Sequence, residues 1–209
     1  MPAQPQAPDY WAQACTELSA NDAILSQVIE KYPRPILRSK GDLFSTLIRS
    51  IVGQQISVHA ADAVWDRFSK LIDDVSPQQI LKQTTEDLRN CGLSYRKVEY
   101  IHGISETWEQ EYAELDWNSM DDAEVKRKLI ALRGVGPWTA EMILMFSLLR
   151  PDIFPIDDIG AIRAMENIYN QGKPMTKQQL LDKADDWIPW RTVATWFLWR
   201  TIDDEPVEY

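Results

Sequence analysis

Cysteine is nearly absent from this chain: Cys15 and Cys91 are the only two, and they form no CxxC pair. With only His59 and His102 as histidines, the sequence excludes a disulfide scaffold, a Cys/His zinc site and a four-cysteine iron–sulfur cluster. Long apolar runs are lacking too. The longest, MILMFSLL at 142–149, is far too short to span a bilayer. The opening MPAQPQAPDYW has neither the basic nor the apolar segment of a secretory signal, so a reduced, soluble, cytoplasmic protein with no membrane contact is expected. Positive charge is in deficit, with 22 Lys and Arg against 32 Asp and Glu and a net charge of −10. That argues against a broad basic face for a phosphate backbone, but it leaves room for a small neutral footprint.

Alternating β-branched runs are missing as well, while apolar residues at helical spacing recur throughout. An all-α fold follows. After a flexible tail over 1–10, one helix is expected over 11–31. Asp42 reads as the N-cap of the next, with Leu43, Phe44, Leu47, Ile48 and Ile51 on one face. A single segment over 76–93 opens on Ser76 and Pro77 and stops at Gly92. Later helices are expected near 159–170, 177–187 and 190–202. The acidic end DDEPVEY reads as a solvated terminus. Nine tryptophans are unusual for 209 residues and point to aromatic packing or stacking.

The densest local signal is LRGVGPWTAE, 132–141. Gly134 and Gly136 permit positive φ or close approach of another backbone, and Pro137 suits the first turn of the following helix. Amides exposed at such a hairpin can hold an anion, although a bare helix–helix turn uses the same residues.

LRGVGPWTAEMI followed by FPIDDIGAIRA resembles the helix-hairpin-helix DNA glycosylases. Three further segments make the chain similar to their DNA-3-methyladenine glycosylase II branch: LIRSIVGQQISVHAADAVWDRF at 47–68, CGLSYRKVEYI at 91–101 and WIPWRTVATWFLWR at 187–200. The resemblance covers about 42–202 and implies two helical lobes, 42–150 and 151–209 with the helix of 11–41, around an active-site cleft and without an N-terminal β-domain. It further implies binding to double-stranded DNA carrying an alkylated base of the 3-methyladenine or 7-methylguanine type; nothing in the sequence points to more than a monomer. Such an enzyme flips the base and hydrolyses its glycosidic bond in base-excision repair.

The resemblance also assigns residues. In PIDD, its Pro-x-Asp pattern falls on Asp157 as the catalytic carboxylate at a positive helix end, with Asp158 as the cap; capping by both is the structural alternative. Trp138 stands where bifunctional relatives carry a Schiff-base lysine, which implies hydrolysis without strand cleavage. Its indole can attract a cationic purine. Trp190, Met142, Gln54 and Gln55 are expected in the base pocket, against core packing as the alternative. Tyr95 is expected as the wedge in the duplex, with Leu93 as its competitor. Gly134, Gly136, Thr139, Arg96 and Lys97 are expected at phosphates. The carbonyls of Ile130, Leu132 and Gly134 are expected to hold Na+ or K+, with no other cofactor. A non-catalytic hairpin module and a glycosylase for oxidised or mismatched bases are the rival readings.

Overall fold

The computed structural model describes residues 8–32, 37 and 42–202, and among these no strand occurs. The helices divide between two compact units, Lys40–Ile143 and Met1–Ser39 with Leu144–Tyr209. The opening residues 1–7 and the acidic end beyond 202 lie outside the described residues.

The first unit contains α3 (Leu43–Gly53), α4 (Val58–Ile72), α5 (Pro77–Leu81), α6 (Thr85–Asn90), α7 (Tyr95–Thr107), α8 (Asp122–Ala131) and most of α9 (Pro137–Phe146). Asp42 caps α3 as its sequence suggests, accepting from the Ser45 amide at 2.8 Å. The single segment expected over 76–93 is two helices. Thr84 and Asp87 form a reciprocal capping box that starts α6 afresh, and such side chains compete with continued backbone pairing. Gly92 then turns the chain at φ +102°. A turn of π-helix, Trp108–Tyr112, extends α7. It places Trp108 at 5.3 Å from Trp117 in a stacked pair and at 5.2 Å from Phe44. Phe44, Leu47, Ile48 and Ile51 of α3, Phe68 of α4 and Ile101 of α7 fill the core, each contributing about 1.5–3 kcal/mol by burial.

The second unit contains α1 (Trp11–Asn21), α2 (Ala23–Lys31), α10 (Ile159–Tyr169), α11 (Lys177–Asp185) and α12 (Arg191–Arg200). Every residue of α12 from Thr192 to Arg200 is buried, as a central helix requires, and α1, α2 and α10 pack on it. The helix expected over 11–31 is broken at Asp22. Its extended backbone ends α1, and its Oδ1 accepts from the amides of Ile24 and Leu25, both at 3.0 Å, to start α2. Tyr10, assigned to a flexible tail by its sequence context, is tied down through a 2.7 Å hydrogen bond from its hydroxyl to the Leu149 carbonyl. Six of the nine tryptophans are buried, so packing accounts for most of that excess. No helix among the described residues is long and apolar enough to cross a membrane.

Candidate functional site

Three turns of the first unit carry most of the residues singled out above. The hairpin between α8 and α9 is one. Gly134 takes φ +96°, and a Cβ there would stand 2.4 Å from the Tyr100 ring of α7. Gly136 has ordinary φ and nothing within 4 Å of where its Cβ would stand. The two glycines therefore have different reasons to exist. Gly134 lets the hairpin press against α7, whereas Gly136 keeps open space at the start of α9. Gly134→Ala is expected to lower unfolding stability by roughly 1–3 kcal/mol through strain and overpacking. Gly136→Ala should leave the urea midpoint within error. Equal urea midpoints for the two variants would overturn this division.

Trp138 is half-buried in the first turn of α9, and Met142 lies one turn on, buried, on the same face. Thr139 is 5% exposed, so its side chain is not offered to a phosphate; only its first-turn amide remains for that role. The Gly134 carbonyl, one of the three expected to hold a cation, accepts from Gln54 Nε2 at 2.9 Å. The Leu132 carbonyl accepts from the Val135 amide at 3.1 Å, and Ile130 contributes a half-exposed side chain nearby. Gln54 is thereby reassigned from base pocket to structural tie.

The second turn follows α3. Gln55 sits at its tip with φ +61° and an exposed side chain, not in a pocket. Positive φ at a non-glycine residue is costly and concentrates where function over-determines the backbone. The third turn precedes α7. Leu93 is 3% exposed and belongs to the core, so it is no rival as a wedge; Tyr95 is 63% exposed at the first position of α7. Arg89, which the sequence reading missed, lays its guanidinium 3.6 Å from the centroid of the Tyr95 ring. Arg96 is exposed. Lys97 is not presented to a phosphate: its ammonium donates to the Val52 carbonyl at 2.6 Å, and burial pushes it below the usual lysine range.

The second unit holds the two aspartates. Asp157 is 66% exposed at its side chain and pairs with Lys177 of α11 at 3.0 Å. A carboxylate bathed in water and paired with a surface lysine is poorly suited to stabilise a nearby cation, because solvent screens the field. Asp158 is 6% exposed and caps α10, its Oδ1 accepting from the Ala161 amide at 2.7 Å and from Trp199 Nε1 at 2.8 Å. Trp199 is in turn stacked on Phe146 at 5.9 Å. Gly160 makes the approach possible, since a Cβ there would stand 3.1 Å from both Asp158 Oδ1 and Trp199 Cδ1. Asp158 is thus the buried, helix-capping carboxylate, a setting suited to electrostatic work, whereas Asp157, on which the expectation fell, is exposed and ion-paired.

Trp190 also departs from expectation. Its indole stacks on Tyr10 at 5.8 Å, and its Nε1 donates to Glu17 Oε2 at 2.6 Å. One face and the donor edge are taken by the N-terminal segment, so Trp190 is a packing residue here. Trp199, to which the sequence reading assigned no site role, is hydrogen-bonded to the Asp158 carboxylate.

Residues 48–189 match the model of the HhH-GPD superfamily base excision DNA repair proteins. A DNA-3-methyladenine glycosylase 1 of Schizosaccharomyces pombe is 30% identical over 193 residues, spanning 88% of this chain and 83% of the relative. The crystal structure of a Bacillus halodurans DNA-3-methyladenine glycosidase superposes with a TM-score of 0.82 at 35% identity, covering 90% of this chain and 88% of the other. A 3-methyladenine DNA glycosylase of S. pombe, solved in complex with abasic DNA, gives a TM-score of 0.76 at 30% identity, covering 90% and 96%.

Proposed function

We propose, from the premise that this chain belongs to the HhH-GPD superfamily of base excision DNA repair proteins, that it removes alkylated bases from double-stranded DNA by hydrolysis alone. The single observation that carries the chemistry is Asp158, a buried carboxylate fixed by a helix N-terminus and by Trp199 Nε1. The names of the similar glycosylases support the substrate class.

A 3-alkylated or 7-alkylated purine carries a positive charge, so it leaves readily. The C1′–N bond breaks with its electron pair going to the base, which becomes neutral, and the sugar becomes an oxocarbenium-like cation. Asp158 is the catalytic residue: its negative charge stabilises that cation and orients the water whose oxygen bonds to C1′, while the water's proton passes to the carboxylate and then to solvent. Trp199 is a positioning residue that keeps the carboxylate in place. Trp138 attracts the cationic ring, an interaction worth about 0.5–2 kcal/mol. Gly136 and the first-turn amides of α9 receive a phosphate through the backbone, a grip that a chain of net charge −10 can make without a basic face. Tyr95, braced by Arg89, and Gln55 are the exposed side chains that meet the duplex. No step requires a bound metal.

Methylated duplex DNA is the direct test. The protein is expected to release 3-methyladenine or 7-methylguanine, to leave the abasic strand uncut, and to give no covalent adduct with borohydride. A strand break or a trapped adduct would show lyase chemistry and remove Trp138 as the reason for its absence. A folded protein that releases no base would leave only a DNA-binding module.

A further inference from the structure

The last turn of α3 exposes carbonyls that no residue of the helix can satisfy. The Ile51 carbonyl accepts from the Gln54 amide at 3.3 Å and the Gly53 carbonyl from the Ile56 amide at 3.4 Å. Between them, the Val52 carbonyl accepts from Lys97 Nζ at 2.6 Å, the shortest of the three and the one bond that reaches a different element. A lysine ammonium at a helix C-terminus also faces the negative end of the helix dipole.

Lys97 is two residues from Tyr95, in the same first turn of α7, whose start is fixed by the Ser94 side chain accepting from the Lys97 amide at 3.3 Å. Gln54, the residue after α3, is held from the other side by its bond to the Gly134 carbonyl. The turn that displays Gln55 at φ +61° is thus anchored where it leaves α3 by two side-chain bonds, one from the base of Tyr95 to Val52 and one from Gln54 to the hairpin. Neither tether belongs to the turn's own backbone pairing. Both are long-range side-chain bonds, and such bonds set the relative position of loops that backbone pairing leaves independent.

We propose that Lys97 is a positioning residue for DNA engagement: its ammonium fixes the Gln54–Ser57 turn relative to Tyr95, so that the two exposed turns meet a duplex as one preorganised surface. Binding then costs less ordering of the loops, which appears as affinity. The proposal rests on DNA being the ligand, but not on the glycosylase chemistry.

The test uses the whole protein and a duplex with a tetrahydrofuran abasic analogue, whose binding needs no catalysis. Lys97→Met keeps the stem and removes the donor, and it is expected to weaken the Kd about tenfold. The single-turnover rate of base release at saturating enzyme should stay within about threefold of wild type, the split that separates positioning from chemistry. Lys97→Arg should recover most of the affinity. Wild-type affinity in Lys97→Met overturns the proposal. So does a Lys97→Arg protein as weak as Lys97→Met, or a loss that falls on the saturated rate and on the unfolding midpoint together. Should Lys97→Met not fold, Gln54→Ala releases the second of the two bonds that anchor the same turn and is expected to weaken the Kd in the same sense; no change there overturns the proposal equally. Because binding is read without turnover, a wild type that binds the analogue tightly yet releases no base would sink the glycosylase reading and leave this one standing.

Discussion

Asp158→Asn is expected to lower the single-turnover rate of methylated-base release by about 10²–10⁴-fold, while Asp157→Asn stays within a few-fold of wild type. The substitution keeps the shape and the cap. Asparagine is as good an N-cap as aspartate, and its carbonyl oxygen can take both the Ala161 amide and the Trp199 indole N–H that Oδ1 accepts now. What it removes is the negative charge, in a place where burial leaves that charge unscreened. Asp157 lacks this leverage, because its side chain is 66% exposed and already neutralised by Lys177. Trp199→Phe tests the same assignment from the side. It keeps the stack on Phe146 but drops the hydrogen bond, so the saturated rate should fall with little change in DNA affinity. If Asp157→Asn proved the inactive variant and Asp158→Asn the active one, burial and capping would be the wrong guide to the carboxylate.

The exchange of these neighbours shows where the sequence stops being readable. Helix starts written in a local code were legible: Asp42 accepts from Ser45, and Gly92 turns the chain at φ +102° where a stop signal stood. The hairpin was legible because two glycines and a proline allow few backbones. The family was legible because its motifs keep their order along the chain. Sidedness was not. Whether Asp157 or Asp158 faces the interior depends on a single residue of register, and on α12 lying beside α10 with Trp199 in reach. Trp190 at the start of α12 and Trp199 near its end carry the same local signal, and only tertiary packing gives the first to Tyr10 and Glu17 and the second to Asp158. Gln54 and Lys97 have amphiphilic side chains whose local sequence fits a pocket or a phosphate equally well. Their partners, Gly134 and Val52, are carbonyls that carry no sequence signal at all. Asp22 was missed for the opposite reason. An apolar pattern that continues in phase across a cap hides the break.

Removing that cap gives the largest stability effect expected in the molecule. Asp22 is 6% exposed and gathers five donors. Its Oδ1 takes the amides of Ile24 and Leu25; its Oδ2 takes the Tyr169 hydroxyl at 2.7 Å, Trp187 Nε1 at 3.1 Å and Lys183 Nζ at 2.8 Å. Asp22→Ala strands the phenol, the indole N–H and part of the ammonium in a buried setting at once, and a loss of about 3–5 kcal/mol is expected. The same group sets an acid limit. Burial by itself would raise the carboxyl, but Lys183, the Leu25 amide, Trp187 and Tyr169 outweigh it and hold the pKa at about 2, below the ordinary 3.8. Tyr169 is pushed far above its usual range, by burial first and by Asp22 second, so it remains a donor throughout. A folded pKa below the unfolded one means that the contribution is complete above about pH 5 and disappears as the pH falls toward 2. The gap corresponds to an effect on the order of 2–3 kcal/mol. Urea unfolding followed from pH 6 down to pH 2 should therefore show a falling wild-type stability, with a shallower slope in Asp22→Asn, which carries no titrating group at the hub. Asp22→Ala costing less than about 1 kcal/mol, or parallel slopes in the two proteins, would show that the three helices converging on Asp22 are held by their apolar contacts alone.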